Sequence, residues 1–467
     1  MASDTAVSTA TSTSTGKPAT RSARRAVPGL ARLGERARFG VRWGLGHGLP
    51  GLLAGRVAKQ GDLQGRLLDR TISADPERLH ALTDEIRAAG TIHRARYAHV
   101  TASHAAVKEI LTSPDFRSEV FQPGEGLMGR LIRWADEPER IGPLQPPSLL
   151  VVEPPSHTRY RKLVTRVFTV RAVQELAGRT QEIAEELLDR IEAAGSTDRV
   201  DLVEAYCAQL PLTVIAEILG VPPEDRQKVL EFGTAAAPSL DLGLSVRELA
   251  SVEQGLDEFR SWLLVHLDRL RENPGPDLMS KLVAVQDEDG GLTQEELLAT
   301  AGLVLAAGFE TTVNLLGNGI ALLDAHPDQR ARLREDPSLW GNAVDEVLRF
   351  DPPVLLTGRV ANEPIEVLGH RIGRGEIVST VLAGANRDPE VFTDPHTFDV
   401  ARENARDHVS FSAGRHYCLG AALARMEGEV GLRTLFERFP DLAVLPGAER
   451  RPTRILRGFE HLPVRLT

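Results

Sequence analysis

A chain of 467 residues can hold one large domain or two or three smaller ones. Its net charge of -10 argues against a general nucleic-acid-binding protein, and its two cysteines exclude a disulfide framework and fit a reducing compartment. Its apolar content of 42% allows a large core, yet no uncharged apolar run reaches the roughly 18 residues that a membrane span needs.

The first 60 residues form a leader of two parts. Residues 1–20 are Ser, Thr and Ala in low-complexity order, so we expect a disordered tail and not a secretory signal. Residues 21–60 alternate arginines with Leu, Val, Phe39 and Trp43. Such a basic amphipathic segment can lie on an anionic membrane surface. Repeated glycines would weaken a helix there, and a flexible leader packed loosely on the domain is an equal alternative.

From about residue 61 onward no linker rich in Pro, Gly or Ser separates two cores, which predicts one domain over 61–467. Long helical patterns predominate, and they cover 171–193, 254–271, 294–323 and 421–439. One short strand pattern lies at 93–100. Two more, at 365–368 and 376–382, flank turn glycines and suggest a hairpin. The predicted fold class is mainly α with small β-sheets.

The helix predicted after Thr293 carries an unusual polar group. Thr293 and Glu296 match a capping box, and residues 299–308 are apolar on nearly every side, which is typical of a buried helix. Residues 310–312, Glu-Thr-Thr, then place a carboxylate and two hydroxyls in its middle, which is costly without partners. Either they form a functional site, or they only bend the helix, for example through a bond from Thr311 back to a carbonyl.

Glu346 and Arg349 lie three residues apart and would share one face of a helix. Taken alone, such a pair is common on protein surfaces and contributes little to stability.

Cys418 lies in residues 411–420, Phe-Ser-Ala-Gly-Arg-His-Tyr-Cys-Leu-Gly, directly before a helical pattern. Gly414 and Gly420 let the backbone turn tightly and approach a ligand closely. A helix N-terminus favours a thiolate, and a thiolate so placed can be the axial ligand of haem iron. The alternative is a buried free cysteine, which is the interpretation given to Cys207 in its helical pattern.

Residues 411–420 resemble the haem-binding loop of cytochrome P450, whose common bacterial form is Phe-x-x-Gly-x-His-x-Cys-x-Gly. Residues 307–311, Ala-Gly-Phe-Glu-Thr, match the Ala-Gly-x-Glu/Asp-Thr pattern of the same family at every position. The chain departs from the loop at Ser412 and Ala413, where glycine is frequent, but both residues are small.

The resemblance covers roughly residues 75–465 and implies the cytochrome P450 fold. Within it, residues 303–320 and 413–432 are most similar to mycobacterial P450 family 140 members.

The resemblance implies haem b, Fe-protoporphyrin IX, as the cofactor, with Cys418 as its thiolate ligand. Thr311 would hydrogen-bond the oxygen substrate and hold a water, and Glu310 would connect that water to a proton supply. Cleaving the O–O bond requires protons in a site that otherwise excludes bulk water. Glu346 and Arg349 would have a structural role behind the loop, together with a downstream Arg or His. The other residues expected to contact haem are Ala307, Phe411, Gly414 and Gly420.

The two haem propionates need cations beside them in a buried site. In the family's places for these cations the chain has His157, Arg161, Arg359 and His416. Each of them singly could be a solvated charge, but the set favours propionate binding. A further set of basic residues would lie near the cysteine side and could form a dock for an acidic electron-transfer protein: Arg159, Lys162, Arg166 and Arg415.

The function implied is that of a haem-thiolate monooxygenase, which inserts one atom of O2 into a hydrophobic small-molecule substrate. Electrons would come from NAD(P)H through a ferredoxin and a ferredoxin reductase, because the chain has no Rossmann fingerprint and no cysteine cluster. Substrate specificity is expected from residues 115–150 and 220–255, with 235–240 as part of a lid.

Two alternatives remain open at the level of sequence. One is an enzyme of the same fold that acts as a peroxygenase or an oxidative coupler, and the acid–alcohol pair at 310–311 counts against the peroxygenase. The other is a haem-dependent sensor or carrier without catalysis. The expected location is the cytoplasm, with a weak peripheral contact to the membrane through residues 21–60 as an added hypothesis.

Overall fold

A computed structural model describes residues 28–118, 126–136, 142–165, 170–195, 197–286 and 291–467. The Ser/Thr-rich tail predicted for residues 1–20 lies outside these ranges, so its disorder remains a prediction. The division of the chain into a leader over residues 1–60 and one domain over residues 61–467 also remains a prediction.

Helices account for most of the described chain, as the sequence predicts. The helices of its first half are α1 (Pro28–Trp43), α2 (Leu49–Ala58), α3 (Leu63–Leu67), α4 (Arg70–Ala74), α5 (Pro76–Ala88), α6 (His104–Thr112), α7 (Leu127–Ala135), α8 (Ser156–Thr165) and α9 (Val170–Ala193). Those of its second half are α10 (Gln209–Ile218), α11 (Arg226–Ala236), α12 (Val246–Glu272), α13 (Leu278–Gln286), α14 (Gln294–Ala325), α15 (Pro327–Glu335), α16 (Trp340–Phe350), α17 (Leu382–Ala385) and α18 (Ala421–Arg438).

The strands are short. They are β1 (His93–Arg94), β2 (His99–Thr101), β3 (Phe116–Arg117), β4 (Val200–Asp201), β5 (Leu356–Ala361), β6 (Ile365–Val367), β7 (His370–Ile372), β8 (Ile377–Val381), β9 (Ala443–Val444), β10 (Glu449–Arg450), β11 (Phe459–His461) and β12 (Pro463–Arg465). The largest sheet has the order β1-β2-β8-β5-β3, with β2 and β8 parallel. A second sheet has the order β4-β12-β9, and β6–β7 and β10–β11 form separate pairs.

The predicted hairpin is present but has a different partner strand. β6 pairs with β7 across Leu368 and Gly369, which both have positive φ angles, 46° and 83°. Such a two-residue turn matches the twist of the strands and closes the hairpin early. The third segment, β8, pairs with β5 and β2 in the largest sheet instead. The strand predicted at 93–100 is likewise divided into the antiparallel pair β1 and β2.

The main core lies around α14, which packs against α10, α11, α16 and α18. The predicted capping box is confirmed, because Thr293 accepts from the Glu296 amide and Glu296 accepts from the Thr293 amide. By length and composition α14 is apolar enough to cross a membrane, but 71% of its most apolar window is buried within the protein. Because most of this window is buried, α14 fits a core helix of the protein.

The described part of the leader, residues 28–58, is helical. α1 and α2 are joined by a π-helical turn at Gly44–Gly48, which is where three of the leader's glycines fall. Phe39 and Trp43 of α1 pack against a buried apolar cluster on α12 and the segment before it. Other glycines lie within α1 and α2 themselves, so packing supplies the stability that local propensity lacks.

Candidate active site

The loop that carries Cys418 is held closed by its own backbone and by α6. The Cys418 amide donates to the Phe411 carbonyl at 2.9 Å. Gly414 has φ 66°, and an added Cβ there would lie 2.6 Å from the Leu111 carbonyl oxygen. Close packing against α6, and not the approach of a ligand, is therefore what requires glycine at 414.

Two other positions of the loop differ from expectation. Ser412 has φ 62°, in the left-handed region, where serine costs roughly 1 kcal/mol that glycine would not. Serine in place of the family's glycine at position 412 therefore has a cost in conformational free energy. At Gly420 an added Cβ would meet no atom within 4 Å, so Gly420 borders open space.

Replacing Gly414 by alanine should destabilise the protein by about 1–3 kcal/mol, because both the left-handed φ and the contact with α6 oppose a Cβ. Gly178→Ala on α9 is the matched control, since an added Cβ there meets nothing within 4 Å and alanine favours a helix. Urea unfolding of both variants measures the difference. Equal stability of the two would show that the loop does not need its contact with α6.

Cys418 keeps accessible surface, yet its thiol experiences desolvation by the surrounding protein. Burial raises the pKa of the Cys418 thiol, while the Gly420 N–H and the guanidinium groups of Arg161 and Arg425 act in the opposite direction. The Gly420 N–H at the start of α18 thus favours the thiolate as expected, but burial of the thiol acts more strongly in the opposite direction. A coordinating metal cation deprotonates a thiol outright.

Among the described residues, Cys418 belongs to no group of side chains that could hold a metal ion together. No group of three or more His, Cys, Asp or Glu in the described ranges could hold a metal ion. A metal at Cys418 would therefore take its remaining ligands from a cofactor. Cys207, in contrast, is fully buried and its thiol pKa is raised by burial, which agrees with its interpretation as a core residue.

The centre of α14 also borders open space. Ala307 is exposed although Leu305 and Phe309, two residues before and after it, are each 1% exposed. Thr311, one turn further along the same face, donates its hydroxyl hydrogen to the Ala307 carbonyl at 2.9 Å. Thr312 bonds in the same way to the Gly308 carbonyl at 3.1 Å. The back-bonding expected at Thr311 is therefore present.

Glu310 is buried, at 2% exposure, and forms an ion pair with Arg451. Burial raises the pKa of Glu310, and the Arg451 cation opposes that rise. The second carboxylate oxygen, Oε2, has no hydrogen-bond partner among the described residues. Arg451 was not found from the sequence, because no local pattern connects it to a helix 141 residues earlier.

A cluster of cations lies near the cysteine loop. The rings of His157 and His416 are 4.5 Å apart between centroids, and Nε2 of each lacks a hydrogen bond to any described residue. Arg359 is 5% exposed and donates only to the Thr357 hydroxyl at 3.2 Å and the Gly358 carbonyl at 2.8 Å.

The positive charge of this cluster comes from its arginines, of which Arg161 and Arg359 form no ion pair with a described residue. Burial, with the charges of His416 and Arg161, lowers the pKa of His157 to about 4. Burial lowers the pKa of Arg359 to about 10. Arg161 has no hydrogen bond or ion pair with a described residue, but its charge acts on Cys418. These four side chains would be stabilised by anions placed among them.

The carboxylate beside this cluster is Glu153, which sequence reasoning missed. It accepts from the Ser118 amide at 2.6 Å and from Arg415 at 2.9 Å, and it lies 3.6 Å from His416 Nε2. Burial alone would raise its pKa, but His416, the Ser118 amide and Arg415 together lower it. Its position before two prolines was the only local signal, and that signal does not reveal a charge partner.

The predicted basic dock is only partly free. Arg159 is paired with Glu296 at 2.6 Å, and Arg415 is paired with Glu153. Lys162 is exposed, and Arg166 lies outside the described residues. Carboxylates of the protein thus neutralise Arg159 and Arg415, and the dock for an electron-transfer protein stays a prediction.

Glu346 and Arg349 are fully buried and do not form a surface pair. Arg349 donates from Nε and Nη2 to the two Glu346 carboxylate oxygens, at 2.7 Å each. Arg402 approaches the same carboxylate at 3.3 Å. Arg349 also donates to the carbonyls of Asn386, Pro395 and Thr397, which precede the cysteine loop.

An accessible cysteine near two arginines without ion pairs to described residues, Arg161 and Arg359, fits a haem-thiolate protein. Comparison with known proteins agrees. The family model for cytochrome P450 matches residues 258–459. Cytochrome P450 140 of Mycobacterium tuberculosis is 51% identical over 433 residues, which are 91% of this chain and 97% of that protein. The cytochrome P450 monooxygenase PikC of Streptomyces venezuelae is 44% identical over 68% of this chain and 76% of its own.

Among solved structures, Mycobacterium smegmatis CYP164A2 matches with a TM-score of 0.76 and 32% identity, covering 86% of this chain and 99% of its own. The chain belongs to the cytochrome P450 family, which confirms the predicted fold class and the likeness to the family 140 group. It is an enzyme of the P450 monooxygenase class, and members of this class bind haem through a cysteine thiolate.

Proposed function

We propose that this protein binds haem b with Cys418 as the axial ligand and inserts one atom of O2 into an apolar organic substrate. NAD(P)H would supply the electrons through a ferredoxin and a ferredoxin reductase. The observation that carries the proposal is the presence, beside the Cys418 loop, of two arginines, Arg161 and Arg359, that form no ion pair with a described residue. Bound haem supplies the activation of O2, and the thiolate donates electron density toward cleavage of the O–O bond.

The residues present fit such a cofactor. Its two propionates would neutralise Arg161 and Arg359, and they would accept hydrogen bonds from Nε2 of His157 and His416, neither of which has a hydrogen bond to a described residue. Its flat ring requires open space, which borders Cys418, Gly420 and Ala307. Phe411 and Gly414 would shape the loop, while Glu346 and Arg349 would hold the segment before it in place.

Glu310 and Thr311 would deliver protons. The Thr311 hydroxyl donates to the Ala307 carbonyl and so keeps its lone pairs for accepting a hydrogen bond from a water. Glu310 has a raised pKa and an unpartnered oxygen, which suits a group that gains and loses a proton. Its partner Arg451 has a side chain that is 20% exposed, so the pair connects the buried acid to the protein surface.

Thr311→Ala should uncouple the reaction, lowering product formed per NAD(P)H by about tenfold or more, because proton delivery loses its hydroxyl. Product and NAD(P)H consumption are measured together. Thr312→Ala is the control, since it also removes a hydroxyl bonded to an α14 carbonyl and should keep its coupling. Unchanged coupling in the Thr311 variant would remove Thr311 from the proton route.

The substrate pocket would be an apolar recess between α11, α12 and α14. Residues from the two regions expected to set specificity line it, among them Pro143, Phe232 and Ala236. Leu303 of α14 also lines it and lies four residues before Ala307, on the same helical face. The recess thus leads toward the space beside Ala307, and its lining favours an apolar substrate.

Turnover under isotopically labelled O2 tests the proposal. Fatty acids, sterols, terpenoids and macrolides are first screened for a spin-state shift of the ferric protein. The best ligand is then incubated with NAD(P)H, ferredoxin and reductase. A product with one labelled oxygen atom supports the monooxygenase. Turnover with peroxide alone would favour the peroxygenase, and binding without NAD(P)H consumption would favour a sensor or carrier.

We place the enzyme in the cytoplasm. The weak contact with a membrane through residues 21–60 also belongs to the proposal, and its support comes from residues 28–60, because 21–27 lie outside the described ranges.

A further inference from the structure

Exposed apolar side chains of α2 and α7 lie on the part of the molecule where the leader packs. On α2, Leu49 and Leu52 are 50% and 74% exposed. On α7 the exposed fractions are 84% for Leu127, 56% for Met128, 39% for Leu131, 37% for Ile132 and 45% for Trp134. We call the exposed surfaces of α1, α2 and α7 the leader–α7 face. Apolar exposure on this scale is typical of an interaction site.

The leader and α7 are joined by specific contacts. Arg42 of α1 donates to the Ala135 carbonyl at the end of α7 at 2.8 Å and forms an ion pair with Glu253 of α12 at 2.9 Å. The Arg38 guanidinium lies 5.6 Å from the centroid of the Trp134 ring. The leader, α7 and the start of α12 therefore form one packed unit, although α7 is distant from the leader in sequence.

This face is basic in an acidic protein. Residues 28–61 contain six Lys or Arg and one acidic residue, and α7 contains two Arg and no acidic residue, whereas the whole chain has 55 basic and 65 acidic residues. Four of these cations are exposed and form no ion pair with a described residue: Arg36, Arg56, Lys59 and Arg130. Basic side chains interleaved with Leu and Trp complement an anionic lipid surface.

The face lies next to the substrate recess. The cluster that packs against Phe39 and Trp43 of the leader includes Ala236 and Leu256. Ala236 and Leu256 also line the apolar recess between α11, α12 and α14. Between a surface bound at the leader–α7 face and the recess would thus lie α1 and the side chains of this cluster.

We propose that the leader–α7 face binds the surface of an anionic lipid bilayer, from which apolar substrates enter the recess. The inference deepens the proposed function by naming the source of the substrate, while the bilayer contact itself does not depend on catalysis. Pairing of this face with a second copy is disfavoured, because a symmetric contact would bring like charges together.

Vesicle flotation of the full-length haem-loaded protein tests the inference, with phosphatidylcholine alone and with added phosphatidylglycerol. We expect binding only to the acidic vesicles, weakened by salt. Arg56→Glu/Arg130→Glu should bind at least about tenfold more weakly, since each cation near the surface contributes. Leu52→Gln/Leu127→Gln should also lose binding. The control is Val265→Gln/Arg371→Glu. It replaces an exposed valine, which is 61% accessible, and an exposed arginine, both outside the leader–α7 face. This variant should bind the acidic vesicles normally.

Equal binding by all variants, or no binding to acidic vesicles, would overturn the inference. So would a dimer in size-exclusion chromatography that the Leu52/Leu127 variant alone dissolves, since a second copy would then be the occupant. Each variant is also checked for the thiolate-type band of its reduced carbon monoxide complex. If the unsubstituted protein shows the band but does not bind acidic vesicles, this inference alone fails, whereas a missing band contradicts the proposed haem site.

Discussion

Replacing Cys418 by serine is expected to abolish the thiolate-type band of the reduced carbon monoxide complex and to lower turnover at least a thousandfold. Serine has nearly the same shape and keeps the amide that donates to Phe411, so the loop should remain closed. Its oxygen is a far poorer electron donor than a thiolate, and donation through the sulfur is what activates O2 in this class. A thousandfold loss corresponds to roughly 4 kcal/mol in activation free energy.

The matched control is Cys207→Ser, because Cys207 is the chain's only other cysteine. It lies buried in the helical core and should leave the spectrum unchanged, at a modest cost in stability. Haem content, the carbon monoxide difference spectrum and NAD(P)H-driven turnover are compared for the two variants. A Cys418 variant that kept the thiolate-type band would refute Cys418 as the ligand, and with it the central part of the proposed function.

Replacing Glu346 by glutamine is expected to lower the free energy of unfolding by about 3–5 kcal/mol. The variant keeps the shape of the side chain but leaves Arg349 buried without its carboxylate, and Arg402 loses the same partner. An uncompensated charge in the core is among the most costly defects that a single substitution can create. Urea unfolding measures the loss.

Asp268→Asn is the comparison, because Asp268 and Arg271 form an ion pair with the same three-residue spacing at the surface, at 2.5 Å. Asp268 is 70% exposed, so solvent screens the pair and we expect a change within about 0.5 kcal/mol. If the two variants lost equal stability, burial would not be what makes the Glu346–Arg349 pair important. Spacing and charge alone could not separate these pairs, and only the family resemblance singled out Glu346 and Arg349.

Local patterns were informative wherever the interacting residues are neighbours in the chain. The capping box at Thr293 and Glu296, and the back-bond from Thr311 to Ala307, follow from spacing within one helix. The partner strand of the hairpin did not follow from local spacing, because β6 could pair with either of two following segments. The two-residue turn at Leu368 and Gly369 selected β7, and β8 was then free to enter the largest sheet.

Charge and burial required the tertiary structure. The helix N-terminus suggested a favoured thiolate at Cys418, but burial outweighs it and raises the thiol pKa. The ion pair of Glu310 with Arg451 joins residues 141 positions apart. Glu153 is recognisable as the counter-charge of Arg415 and His416 only once α8 and the cysteine loop are seen together.

The sequence by itself determined the family, the mainly helical fold and the cysteine loop, because each depends on contiguous residues whose spacing is readable along the chain. The tertiary structure alone decided which charges are neutralised, that the Glu346–Arg349 pair is buried, and that the leader and α7 form one basic, apolar face. These properties depend on distances between remote segments and on the exclusion of water. Neither quantity is encoded in any local stretch of the chain.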